Sequence, residues 1–243
     1  MVSVWGLTDR GRVRRENQDS CAYAVLADQF AWGVVCDGMG GANAGDIASK
    51  MAVETVEATL ATLPDEDRTT EDGALLLQAV ERANQRIYEK ATTEPACTGM
   101  GTTLVGLIIR SGVLLVANVG DSRAYHITKT GIRRITRDHS VVEDLVEKGD
   151  LTPEEARQHP QKNLITRALG TSRQVRADLF QREVAEGDMI LLCSDGLVNE
   201  VTDEAIYQQA RAGGTPQEIC QRLMNETLEH GAPDNVTIVL FQL

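Results

Sequence analysis

The 243-residue sequence predicts an α+β fold built as a four-layer α-β-β-α sandwich, two mostly antiparallel sheets with a helix pair on each outer face. Three observations predict it. Strand-length apolar runs come in two blocks and do not alternate singly with helices. Each block is tied to a pair of stretches with apolar residues at helical spacing. A final apolar run follows the second helix pair and must return to an earlier sheet, which ties residues 1–243 into one domain.

The first block holds runs at 2–8, 21–26 and 30–36. Two helical patterns follow, with Ile47, Met51, Thr55, Val56, Thr59 and Leu60 on one face and then Leu77, Val80, Ala83, Ile87 and Tyr88 on another. Strands resume at 102–109, 113–118, 123–128 and 132–136, and a polar helical stretch covers 140–148. Thr152, Pro153 and Glu155 then supply an N-cap, a first-turn proline and a capping-box acid, and Pro160 stops that helix. Further strands are expected at 177–182 and 189–193, and a helix at 203–212. Thr215, Pro216 and Glu218 open another helix with Ile219, Leu223, Met224, Thr227 and Leu228 on one face, ending near Gly231. A strand at 236–240 closes the chain.

Composition narrows the function. Apolar residues at 42% and charged residues at 25% are those of a folded globular protein, so disorder is excluded. No apolar run approaches the ~20 residues needed to cross a bilayer, and the first residues lack the apolar core of a signal peptide. No membrane partner, appended sensor or anchor is expected. With 24 Lys and Arg against 36 Asp and Glu the net charge is −12, and three Phe, four Tyr and two Trp offer few stacking platforms. Nucleic-acid binding is disfavoured on both counts. Cys21, Cys36, Cys97, Cys193 and Cys220 are odd in number, scattered, and form no CxxC, which points to reduced thiols in a cytoplasmic setting and away from zinc.

The informative pattern is aspartate at the ends of apolar runs. Asp37 follows 32–36, Asp121 follows 114–119, Asp195 follows 189–193, and Asp234 precedes 236–240. Any one alone reads as turn chemistry. Gathered at one rim, carboxylates ~5 Å apart repel by about 3 kcal/mol at an effective dielectric of ~20 and require cations. An oxygen-only ligand set points to Mg²⁺ or Mn²⁺, with Ca²⁺ as an alternative, and shared carboxylates suit a two-metal site acting on phosphorus.

GRVRRENQD at 11–19, DGMGG at 37–41, GMGTT at 99–103, GDSR at 120–123, SDG at 194–196 and PDNVT at 233–237 resemble, in order and across nearly the whole chain, the metal-dependent PP2C-type (PPM) Ser/Thr phosphatases, especially their compact bacterial form. The resemblance implies catalytic roles for Asp37, Arg14 and Asp19. Asp37 would bridge two ions, with the Gly38 carbonyl on one and Asp195 and Asp234 on the other. Asp19 would orient a metal-bound water, and Asp121 with Asp195 would hold a third ion. Arg14 would grip the substrate phosphate. The reaction would be in-line attack of metal-activated water on phosphoserine or phosphothreonine, without a phosphoenzyme. The cofactors would be two Mn²⁺ or Mg²⁺ ions with a possible third. Residues 138–170 match a flap beside the site, with Asn163 an extra contact to the third ion. Phosphorylated proteins, including a cognate Ser/Thr kinase, are the implied partners of a monomer.

One departure stands out. Many bacterial relatives carry a histidine after DGMGG as proton donor to the leaving alkoxide, and this chain has Ala42 and then Asn43. His126 falls in a strand, and His159 and His230 fall at helix ends, leaving His139 as the least implausible substitute. Protonation by metal-bound water, or slow turnover on poor leaving groups, is therefore expected. Ala42→His is expected to raise turnover on phosphoserine more than on p-nitrophenyl phosphate. Competing readings are weaker. Gly38-Met39-Gly40-Gly41 matches a dinucleotide loop imperfectly and puts Asp37 against a pyrophosphate. Ser122 has no partner histidine for esterase chemistry, and no EF-hand spacing appears. The main alternative is a non-catalytic phosphoprotein-binding relative, whose sign would be loss of the aspartates, and all are present.

Overall fold

In the computed structural model, which describes residues 1–27, 30–40, 44–61 and 69–243, the apolar runs form two sheets. The chain opens with β1 (Ser3–Asp9), β2 (Asp19–Ala27) and β3 (Phe30–Met39), followed by α1 (Gly45–Leu60) and α2 (Thr69–Thr93). Next come β4 (Gly101–Thr102), β5 (Leu104–Arg110), β6 (Val113–Val119), β7 (Arg123–Ile127) and β8 (Ile132–Arg134). Two short helices, α3 (Val141–Lys148) and α4 (Pro153–Gln158), lead to β9 (Asp178–Glu183) and β10 (Met189–Cys193). The chain ends with α5 (Asp195–Val198), α6 (Asp203–Arg211), α7 (Pro216–Glu229) and β11 (Val236–Gln242).

One sheet runs β1-β11-β10-β7-β8 and the other β2-β3-β5-β6-β9, with β4 pairing β3. The described pairings are antiparallel. The closing strand β11 does return, lying between β1 and β10.

The two-residue period of a strand explains the layers. In β3, Val34 and Cys36 face a core with Ala48, Ala52 and Val56 of α1 and Leu76, Val80 and Ile87 of α2. Ala31 and Val35 face the opposite way, into a core between the sheets shared with Ile190, Leu192, Val239 and Phe241. Leu191, Cys193, Ile238 and Leu240 then point outward to Ile206 of α6 and Ile219, Leu223 and Met224 of α7. Strands buried on both faces read as continuous apolar runs, whereas the edge strand β9 alternates half-buried and exposed residues. Each large apolar side chain removed from water contributes about 1.5–3 kcal/mol, and three such layers hold the sheets in register.

Both predicted capping boxes form: the Thr152 and Thr215 side chains accept the N–H groups of Glu155 and Glu218, whose carboxylates accept back. The structure differs from the sequence expectation at the rim that matters. The expected 102–109 strand divides at Thr103 into β4 and β5, and β3 runs on through Asp37 to Met39 by changing partner from β5 to β4. The four-residue α5, starting at Asp195, is too short for its periodicity to be read.

Candidate active site

The strand ends, with the β1–β2 loop and the turn after α4, bring Arg14, Asp37, Gly38, Asp121, Asn163, Asp195 and Asp234 onto one open cleft of about 600 Å³. Asp19 lies buried beside it and pairs in register with Asp37 across β2 and β3. A second hollow of about 290 Å³ shares Asp121 and Asp195 and extends beneath α3 and α4.

Asp37 is held by its backbone. Its N–H donates to Thr103 Oγ1 at 2.9 Å, and its carbonyl accepts from Thr102 Oγ1 at 2.8 Å and the Thr103 N–H at 2.9 Å. Thr103 Oγ1 also bonds Ser122 Oγ at 2.7 Å, so one hydroxyl joins the Asp37 strand to the Asp121 turn. Thr103 of GMGTT therefore positions both. A Cβ at Gly38 would sit 2.1 Å from the Gly45 carbonyl oxygen, so no side chain fits there.

Asp19 is fastened across the sandwich. Its Oδ2 accepts from Ser194 Oγ at 2.8 Å and from Thr237 Oγ1 at 2.7 Å, both on the opposite sheet side, while its buried Oδ1 has no partner. Ser194 starts α5, and Asp195 stands in its first turn with Oδ2 accepting from Asn199 Nδ2 at 3.0 Å. Asp195 Oδ1 is likewise buried and unpartnered. Asn235 secures the loop that carries Arg14. Its Oδ1 accepts the Gln18 N–H, and its Nδ2 donates to the Arg10 and Glu16 carbonyls. Arg14 Nη2 reaches Asp234 Oδ2 at 2.7 Å. With the Arg14 side chain 55% exposed, that pair contributes little, about 0–1 kcal/mol, and leaves Arg14 free to change partners.

Burial, followed by the charges of Asp195 and Asp234, pushes Asp19 up from 3.8 to about 7. Burial and the neighbouring aspartates push Asp37 and Asp121 well above the carboxylate range, and burial with the Asp234 charge raises Asp195. These are carboxylates lacking countercharge. Two orphaned buried oxygens and an all-oxygen donor set fit hard divalent cations. Among the described residues no three acidic or imidazole side chains stand together at ligand spacing.

The histidines do not take the missing acid's place. His139 is 3% exposed, accepts the Gly120 N–H at Nδ1 and bonds Asp178 through Nε2, away from the cleft lining. This corrects the expectation that it could serve as a substitute donor: its ring is spent on structure. His126 bonds Asp188 at 2.8 Å, as a half-buried structural residue should, and His230 Nδ1 lies 2.9 Å from the Glu200 carbonyl. Ala42 and Asn43 lie outside the described residues. Ser122, being fully buried and bonded to Thr103, is no nucleophile. Sequence reasoning missed the roles of Thr102, Thr103, Ser194, Asn235 and Thr237, although each is next to an aspartate or within one of the quoted motifs.

Residues 10–230 match the protein phosphatase 2C family. The serine/threonine phosphatase stp of Listeria innocua serovar 6a is 36% identical over 239 residues, covering 97% of this chain and 93% of that protein. The crystal structure of the serine/threonine phosphatase Stp1 from Staphylococcus aureus is similar with a TM-score of 0.94 at 35% identity, over 100% of this chain and 95% of that one. The catalytic domain of the serine threonine protein phosphatase PstP in complex with two manganese ions has a TM-score of 0.86 at 35% identity, over 99% and 97% of the two chains. Family profile, relatives and fold agree, and the chain belongs to the protein phosphatase 2C family.

Proposed function

We propose that this chain is a protein-serine/threonine phosphatase that hydrolyses phosphoserine and phosphothreonine with water, without a phosphoenzyme, using bound Mn²⁺ or Mg²⁺. The observation that carries this reading is the convergence of four aspartates and Arg14 on one cleft, with buried carboxylate oxygens of Asp19 and Asp195 left unpartnered. Asp37, the Gly38 carbonyl, Asp195 and Asp234 are the groups that would hold two ions, and Asp121 with Asp195 would hold a third, Asn163 standing at its edge. Such ions supply a water of lowered pKa and neutralise phosphoryl charge.

The remaining work falls to side chains. Arg14, exposed at the mouth, grips the phosphate with its planar fork. Asp19, one oxygen fixed and the other free, orients the attacking water. Direct attack by water is supported by the state of the nearby nucleophiles. The Ser122, Ser194 and Thr103 hydroxyls are engaged, and burial pushes the Cys36 and Cys193 thiols up, away from the reactive thiolate. Phosphoproteins are the partners this chemistry needs, including those phosphorylated by a cognate Ser/Thr kinase.

The test is phosphate release from a phosphothreonine peptide with EDTA, Mg²⁺ or Mn²⁺. Metal-dependent release lost in Asp37→Asn and Asp195→Asn is expected. No release with any metal from folded protein would overturn the enzyme reading and leave a phosphoprotein-binding relative.

A further inference from the structure

The turn that carries Asp121 is held by a residue assigned no part in the chemistry. Gly120 has φ of +105°, and a Cβ there would lie 2.6 Å from Thr103 Cγ2, so glycine is required and its conformation must be imposed from outside. His139 imposes it at both polar groups. The Gly120 N–H donates to His139 Nδ1 at 3.0 Å, and the Gly120 carbonyl accepts the His139 N–H at 2.9 Å. Asn118 Nδ2 adds a bond to the same carbonyl at 3.2 Å and one to the Arg137 carbonyl at 3.0 Å.

The same histidine also holds the far end of the 138–170 segment. Its carbonyl accepts the Thr166 N–H at 2.7 Å, beside the Ser140–Ile165 bridge that closes the segment carrying α3 and α4. Because Nδ1 accepts, the ring proton sits on Nε2 and is donated to Asp178 Oδ2 at 3.2 Å. Arg167 Nη1 donates to Asp178 Oδ1 at 3.0 Å, so groups from the segment's entry and exit meet on the first residue of β9.

We infer that His139 is a positioning residue that couples the place of Asp121 in the cleft to the anchoring of the 138–170 segment over it. A displacement of Asp121 passes to Gly120, whose two polar groups are both on His139, and from there to Thr166. Ion uptake on the Asp121 side and the anchoring of the segment are therefore linked. This rests on the reading of Asp121 as an ion ligand.

The experiment compares His139→Ala, His139→Asn and His139→Gln with the wild type. It uses Mn²⁺ titration calorimetry, hydrogen exchange at the Gly120 amide, and kcat and KM on a phosphothreonine peptide. Asn offers an acceptor near the Nδ1 position, whereas Gln reaches only toward Nε2. His139→Ala is expected to lose Gly120 protection and to weaken the lowest-affinity Mn²⁺ step by about 10–100-fold, the usual range for residues that orient a ligand. The tighter steps should be spared. His139→Asn should restore both readouts more fully than His139→Gln, which keeps the comparison decisive if the alanine variant fails to fold. Wild-type Mn²⁺ binding in a folded His139→Ala, or equal behaviour of the Asn and Gln variants, would overturn the coupling while leaving the phosphatase reading intact. A wild type that takes up no Mn²⁺ would overturn both.

Discussion

The two sides of the cleft are built from different chemistry. On the Asp19–Asp37 side the fixing groups are buried neutral hydroxyls, Thr102, Thr103, Ser194 and Thr237, drawn from both sheets. On the Asp121 side the Thr103–Ser122 bond is joined by a histidine and ion pairs: His139 on Gly120, Arg123 on Asp138, and Arg134 and Arg137 on the acidic residues of α3. Hydroxyls do not titrate in the physiological range and are not screened by salt, so the Thr102 and Thr103 bonds that hold the Asp37 backbone do not depend on pH or ionic strength. The second side depends on charge and protonation. A wall whose backbone is held by hydroxyls thus faces one held largely by charge.

The largest effect that would sharpen this contrast comes from the carboxylates. Asp37→Asn should cut phosphate release by well over the ~10–100-fold typical of residues that only orient a ligand, measured at saturating Mn²⁺. Activity within that range would mean Asp37 is not a shared ligand. Next, Thr103→Val keeps the shape but leaves the Asp37 N–H and Ser122 without their partner. It should cost about 1–3 kcal/mol in denaturant unfolding and lower Mn²⁺ affinity at the same time. Unchanged stability and affinity would show that the hydroxyl wall does not support the site.

The pH dependence of metal-free protein sets the cleft carboxylates against His139 by sign. Asp19, raised from 3.8 to about 7, contributes stability that is full below 3.8 and lost as pH rises through about 7. Asp37, Asp121 and Asp195 are raised as well and act in the same direction. Burial lowers His139 below 6.5, so its contribution is full above 6.5 and is lost as pH falls. Four carboxylates outweigh one imidazole. Thermal melts in EDTA should drop by roughly 5–10 °C between pH 5 and 8 and recover with Mn²⁺. A rising melt would contradict the electrostatic account. Smallest of all, Arg14→Gln should leave stability within about 0.5 kcal/mol, as an exposed ion pair allows. It should raise KM for phosphopeptide, and an unchanged KM would remove Arg14 from phosphate binding.

Much of this was legible in the sequence because it is local. Asp37, Asp121, Asp195 and Asp234 follow or precede apolar runs whose two-residue period sorts them into layers, so their common rim follows from the fold class. The capping residues Thr152 and Thr215 act within one helical turn and were readable for the same reason. The hydroxyls were not, because they act across the sandwich: Thr237 reaches Asp19 over a separation of 218 residues, and Ser194 reaches it over 175. Arg14 could be chosen over Arg12 and Arg15 only by resemblance, since its contact with Asp234 spans 220 residues. His139, read alone before a helix, carried no sign that it clamps Gly120. The four-residue α5 left no periodicity to find.

The central claim is that this carboxylate cluster exists to hold divalent cations. The most direct test is calorimetric titration of Mn²⁺ into metal-free protein near pH 7, in two buffers of different ionisation enthalpy, beside Asp37→Asn. The account predicts at least two ions bound by the wild type with release of protons, because the raised carboxylates must ionise to accept them, and loss of that uptake in the variant. Binding without proton release, or uptake that Asp37→Asn leaves unchanged, would contradict it.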